Sequence, residues 1–180
     1  QHETMCGVKA SYFREKKRKK SSTTLGCDNY FFPLDSIPNW NRLYGSNGFL
    51  QYQFVIPNDG ALEGITSVLE KVSEKRKGSF LTVLKKFGEA NENLLSFPES
   101  GYTLTLDFKN EPALFPLLEE LDRIVLAHGG RLYLAKDARM SMEVFKASYP
   151  NWERFMSIKN KVDPDNRFAS LQSNRLGLTQ

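Results

Sequence analysis

The chain has 180 residues, with 25 Lys+Arg against 21 Asp+Glu for a formal net charge of +4, and 40% hydrophobic and 12% aromatic residues. That is apolar side chain enough for one packed domain, or one and a fraction, and it excludes a disordered, collagenous or low-complexity polymer. No uncharged apolar run approaches the ~18 residues of a membrane span.

The chain opens on Gln1 rather than Met, and no leader pattern follows, so it reads as a piece of something longer. Cys6 and Cys27 allow one disulfide at most and have no metal-ligand spacing, which points to a reducing, cytoplasmic compartment. Arg14-Glu15-Lys16-Lys17-Arg18-Lys19-Lys20 carries six cations and one acid, a local +5 that exceeds the net charge of the whole chain. The basic character therefore belongs to one segment. With Ser21-Ser22-Thr23-Thr24 behind it, residues 1–24 read as a flexible basic arm. Its functional reading is a contact with phosphate groups of nucleic acid or an anionic membrane; the plainer reading is a solvated loop.

From Gly48 the pattern becomes that of a compact domain. Phe49 to Ile56 is aromatic and β-branched and stops at Pro57-Asn58-Asp59-Gly60, which predicts a strand with Gln51 and Gln53 on one face and Tyr52 and Phe54 on the other. Leu62, Ile65, Val68, Leu69 and Val72 recur at helical spacing up to Lys77-Gly78. Phe80 to Phe87 predicts a second strand, Gly88 to Ser100 a polar loop, and Gly101 to Phe108 an alternating third strand. A second amphipathic helix runs from near Pro112 to Gly129-Gly130, and Arg131 to Ala135 predicts a fourth strand.

Strand, helix, strand, strand, helix, strand is the ferredoxin-like plan: an α+β fold whose four-stranded antiparallel sheet carries two helices on one face and leaves the other uncovered. Two further helices are predicted at about 139–148 and 151–162, split by Pro150. Their apolar residues Met142, Phe145, Trp152, Phe155 and Ile158 have no place inside a finished ferredoxin-like unit and are expected to pack elsewhere.

The chain has two histidines, His2 and His128, and no Gly-x-Gly-x-x-Gly, Gly-x-x-x-x-Gly-Lys-Ser/Thr or Gly-x-Ser-x-Gly motif. Histidine catalysis, a metal site and a self-contained nucleotide site are not supported. Tyr52 and Phe54 on such a sheet raise the alternative of a nucleic-acid-binding module with a basic arm. The third strand departs from the RNA-recognition pattern, and Asp107 has the wrong charge to face RNA. What resists a bland reading is Gln51, Gln53, Lys85 and Lys136 projecting from strands, a polar floor suited to an anionic or hydroxyl-rich ligand. Lysines within strands are also common as plain edge residues.

Several blocks share a family likeness: Gly129-Gly130-Arg131-Leu132-Tyr133-Leu134-Ala135-Lys136-Asp137, Lys161-Val162-Asp163-Pro164, Phe168, Pro33-Leu34-Asp35, Trp40-Asn41-Arg42-Leu43-Tyr44-Gly45, and Gln51 to Pro57. They resemble the C-terminal part of flavoprotein oxidases of the vanillyl-alcohol-oxidase type, nearest those acting on polyprenyl-phosphoryl pentoses, with aldonolactone oxidases as more distant relatives. The likeness covers roughly residues 25 to 178.

It implies an FAD-dependent enzyme that oxidises a sugar hydroxyl to a ketone by hydride transfer to flavin, for a sugar or polyprenyl-phosphate sugar substrate, with a separate electron acceptor and no nucleic-acid partner. Residues 25–130 would be the substrate-binding cap domain, and 131–180 would return to an FAD-binding domain outside this chain. The fragment alone is then expected to be inactive. By position, Lys136 resembles the lysine that reaches flavin and substrate, Tyr133 would lie against the flavin, and Gln51 and Gln53 would hydrogen-bond in the active site. Lys85, Val83 and Phe87 would line the substrate cavity, and Phe31 matches an aromatic on a gating loop. Thr103 and Thr105 stand where the nearest relatives carry Asn and Cys, so the polar pocket is altered. The basic run would fall near a polyprenyl-phosphate access route, with peripheral membrane contact. An aldonolactone oxidase is the runner-up, although such enzymes favour a histidine near the lysine.

Overall fold

Alternating side chains dictate a sheet with one apolar and one polar face, and the computed structural model, which describes residues 26–28, 32, 35 and 37–179 and all their side chains except 41 and 43, contains that sheet. β1 (Phe49–Pro57), β2 (Thr82–Lys86), β3 (Gly101–Lys109) and β4 (Arg131–Leu132) lie in the order β2-β3-β1-β4. All three pairings are antiparallel. This is the ferredoxin-like topology expected from the element order.

Residues directly opposite in an antiparallel ladder share a face. Gln51 faces Asp107, Gln53 faces Thr105 and Val55 faces Thr103; Thr105 in turn faces Val83, and Thr103 faces Lys85. The polar face thus carries Gln51 and Gln53, while Tyr52 and Phe54 go into the core. They do so under α1 (Ala61–Glu74) and α2 (Leu114–Ala127). α1 buries Ala61, Gly64, Val68 and Val72, and α2 buries Leu114, Leu117, Leu118, Leu121 and Val125, each one helical stripe. Burial of the Phe54, Ile56, Leu121 and Val125 side chains is complete and stabilises by about 1.5–3 kcal/mol each. α2 ends where Gly129 takes φ +71°, and the Gly130 N–H reaches back to Val125 O at 2.9 Å, a cap that only glycine adopts without strain. The chain then turns straight into β4.

Three expectations change. β4 is two residues long: Tyr133 N–H still donates to Gln53 O at 2.9 Å, but Leu134–Lys136 is a 3-10 turn, so Lys136 sits on a turn and not at a strand end. The polar face is also roofed in part. Phe97 stacks on Tyr133 with ring centroids 4.4 Å apart and meets Phe87 edge-on at 5.7 Å. Tyr133 and Phe87 extend from the two edge strands, so the loop carrying Phe97 spans the sheet, and Val55 and Thr103 beneath it are fully buried. Finally, α3 (Met142–Ser148) does not pack elsewhere. Phe145 and Tyr149 join the main core with Met140 and Leu176, and Tyr149 OH donates to Leu132 O at 2.6 Å.

α4 (Trp152–Val162) buries no residue, and Ile158, Val162, Phe168 and Leu171 are exposed. α5 (Leu171–Arg175) starts with a reciprocal cap between Ser170 and Ser173. The chain divides into two compact units, Gln1–Trp40 and Asn41–Gln180. Within the first, Phe32 N–H donates to Asp28 O at 2.7 Å, and Cys27 is a free, exposed thiol. The basic run at 14–20, Cys6 and Phe31 lie outside the described residues. Among the described residues no helix is long and apolar enough to cross a membrane.

Candidate functional site

A concavity opens where β1 passes beneath the turn after β4, lined by Gln51, Gln53, Tyr133, Lys136, Asp137 and Arg139 among others. The ladder sets both glutamines. Gln51 Nε2 donates to Asp107 Oδ1 at 2.7 Å, and Gln53 Nε2 donates to Thr103 Oγ1 at 3.2 Å. A carboxylate only accepts, so Asp107 obliges Gln51 to turn its NH₂ toward it and leaves Oε1 as an acceptor for something else. Asp107 is itself buried and also accepts from Tyr44 OH at 2.9 Å. Burial, then the bond to Asp107, holds the Tyr44 phenol well above its ordinary pKa, so it remains a donor.

Lys136 is exposed, and among the described residues its ammonium enters no ion pair. Its backbone is fixed by Lys136 N–H to Tyr133 O at 3.1 Å and Asp137 N–H to Leu134 O at 3.2 Å. The next residues carry the charge that holds the turn. Asp137 Oδ1 accepts from Arg139 N–H at 2.9 Å and Met140 N–H at 2.7 Å. Its Oδ2 accepts from Arg175 Nη2 at 2.8 Å and Gln172 Nε2 at 3.3 Å. Burial pushes the Asp137 carboxyl up, but the two backbone N–H groups and Arg175 outweigh it and hold the pKa below its ordinary value. Arg139 reaches the other way, to Asp122 Oδ1 at 2.5 Å and Leu118 O at 3.3 Å, while Tyr52 OH donates to Asp122 at 3.0 Å. Burial dominates at Asp122, and its pKa is raised despite Arg139.

Of the residues singled out from the sequence, the concavity therefore brings together Gln51, Gln53, Tyr133 and Lys136. Lys85, Val83 and Phe87 share the sheet face but lie on the β2 side, two strands or roughly 10 Å from β1. Thr103 and Thr105 are buried between them, Thr103 holding Gln53. The aromatics Tyr52 and Phe54 face the helices and are buried, so they offer no base-stacking surface on the open face. Among the described residues no cluster of His, Cys, Asp and Glu could hold a metal. Sequence reasoning missed Asp107, Arg139, Gln172 and Arg175. Asp107 was legible as the partner of Gln51 once the register was known; Gln172 and Arg175 carried no local signal.

Residues 103–176 match the sequence family D-arabinono-1,4-lactone oxidase. Over 149 residues, 83% of this chain, it is 46% identical to decaprenylphosphoryl-beta-D-ribose oxidase of Mycolicibacterium smegmatis. It is 35% identical over 166 residues to an uncharacterized protein of Streptomyces coelicolor, and 20% identical over 133 residues to L-gulono-1,4-lactone dehydrogenase of Mycobacterium tuberculosis. These matches bear out the resemblance to FAD-linked oxidases read from the sequence. The chain spans 32%, 44% and 30% of the length of those three relatives.

Proposed function

We propose that this chain supplies the substrate-binding side of an FAD-dependent oxidoreductase that oxidises a sugar hydroxyl to a ketone, with a polyprenylphosphoryl pentose as substrate. One observation carries the reading: an ammonium without an ion pair among the described residues, on Lys136, shares a concavity with two glutamines, each of which spends an amide N–H on β3 and so has its side-chain oxygen turned away from that partner. Such a site offers acceptors to hydroxyl groups and one positive charge to an oxygen or ring that gains electrons. The donor set fits a flavin, with Lys136 and Tyr133 as the residues that would hold it. Bound FAD supplies the hydride acceptor.

The residues of the chain then act as follows. Gln51 and Gln53 accept hydrogen bonds from sugar hydroxyls and orient the ring. Lys136 stabilises negative charge as it develops. Phe97, packed on Tyr133, keeps water from that aromatic face. Lys85, Val83 and Phe87, with Thr103 and Thr105, would extend the substrate wall toward β2, and Phe31 would belong to the gating loop. A separate electron acceptor would be required to take up the electrons that a bound FAD receives. The basic run at 14–20 would meet the anionic phosphate or a membrane surface.

The identity of 46% to the ribose oxidase against 20% to the lactone dehydrogenase favours the pentose over an aldonolactone. In the full protein carrying its flavin, Lys136→Ala should slow flavin bleaching by a polyprenylphosphoryl-β-D-ribose about 10²–10³-fold at unchanged circular dichroism. Near-normal bleaching would remove Lys136 from the reaction. Bleaching by L-gulono-1,4-lactone alone would move the substrate to the lactone class.

A further inference from the structure

The turn that presents Lys136 is not held by the sheet that precedes it. After Tyr133 the ladder to β1 ends, and the segment from Leu134 to Met140 leaves the strand. Its tethers come from far along the chain. Gln172 Nε2 donates to Leu134 O at 2.7 Å, two residues before Lys136, and also to Asp137 Oδ2 at 3.3 Å, one residue after it. Arg175 donates to Asp137 Oδ2 at 2.8 Å and, through Nη1, to Met140 O. Asp137 is only 3% exposed at its side chain, so its carboxylate is shielded from water and depends on these two donors together with the Arg139 and Met140 N–H groups.

We infer that Gln172 and Arg175, both on α5, are positioning residues for Lys136, gripping the turn on both sides of the lysine. A lysine reaches through a flexible four-carbon stem, so the reach of its ammonium is defined only as well as its Cα is fixed. Two residues of one short helix fix it at Leu134, Asp137 and Met140 together. Neither lines the concavity, and their effect runs through the Leu134 and Met140 carbonyls and the Asp137 carboxylate. The inference rests on the role given above to Lys136, and its test separates the two.

Three variants of the full flavin-carrying protein suffice: Arg175→Ala, Arg175→Lys and Gln172→Ala. Amide hydrogen exchange should quicken at residues 134–140 in both alanine variants and stay unchanged along β1 and β3. The limiting rate of flavin bleaching by a polyprenylphosphoryl-β-D-ribose should fall about tenfold to a hundredfold, with half-saturation little altered. Arg175→Lys should recover part of the rate, which a general loss of stability would not allow. Unchanged exchange at 134–140, or a limiting rate in Arg175→Ala within twofold of the parent, overturns the inference. Lys136→Ala, measured alongside, tests the role of the lysine itself. If that variant bleaches normally the functional reading falls, and exchange at 134–140 alone decides the tether.

Discussion

Replacing Arg139 by Leu should be among the most damaging single changes in the domain, and the damage should depend on pH. The Arg139 side chain is 12% exposed and that of its partner Asp122 is 2% exposed. Removing the guanidinium strands a buried carboxylate, which costs about 3–5 kcal/mol, and forfeits the bond to Leu118 O, about 1 kcal/mol more. Leucine returns part of this through apolar contact with the Tyr52 ring, over which the guanidinium lies at 5.9 Å. A net loss of about 3–4 kcal/mol should lower the melting temperature by roughly 6–16 °C.

The sign of the pH effect follows from Asp122. Burial already places its folded pKa above the ordinary value, so the folded state holds the proton more tightly than the unfolded chain. The stability this confers is present below the unfolded pKa and is lost as pH rises through the folded one. Without Arg139 the folded pKa moves further up, so the deficit of the variant should shrink as pH falls from 7 to 5. Asp122→Asn in the same background should recover stability at pH 7, because no charge is then left unpaired. Urea unfolding at the two pH values measures all of this. A loss under about 1 kcal/mol at pH 7, or no recovery in the double variant, would refute the account of Asp122 as a buried charge held by Arg139.

Two further outcomes are expected. Asp137 behaves in the opposite sense: its folded pKa is lowered, so its contribution is present above the unfolded value near 3.8 and is lost as pH falls through the folded one; Asp137→Asn should flatten the acid limb of a thermal-stability profile below about pH 4, and an unchanged limb would count against the four-donor cage. Gly101→Ala should cost about 1–3 kcal/mol in urea unfolding, because a Cβ there would overlap the Ile56 carbonyl where β3 meets β1; a neutral substitution would mean the strands part more easily than the register implies.

The sequence by itself determined the sheet and the helices on it. Alternation over Gly101 to Phe108 and the stripe from Leu114 to Val125 are local patterns with one satisfactory burial, and the antiparallel order follows from them with little freedom. It also determined which residues of β1 are polar. Which face they take, and what covers it, was left to long-range contact. Only the folded chain put Tyr52 and Phe54 under the helices, laid Phe97 across the opposite face and turned Asp107 toward Gln51.

The ending of β4 was likewise invisible, since Arg131 to Ala135 has the composition of a strand yet finds only enough of β1 to pair through Tyr133. Arg175 pairs with Asp137 across 38 positions of sequence. Nothing in the neighbourhood of either residue announces it, because a buried ion pair is selected by the geometry that brings its partners together and not by any repeat along the chain.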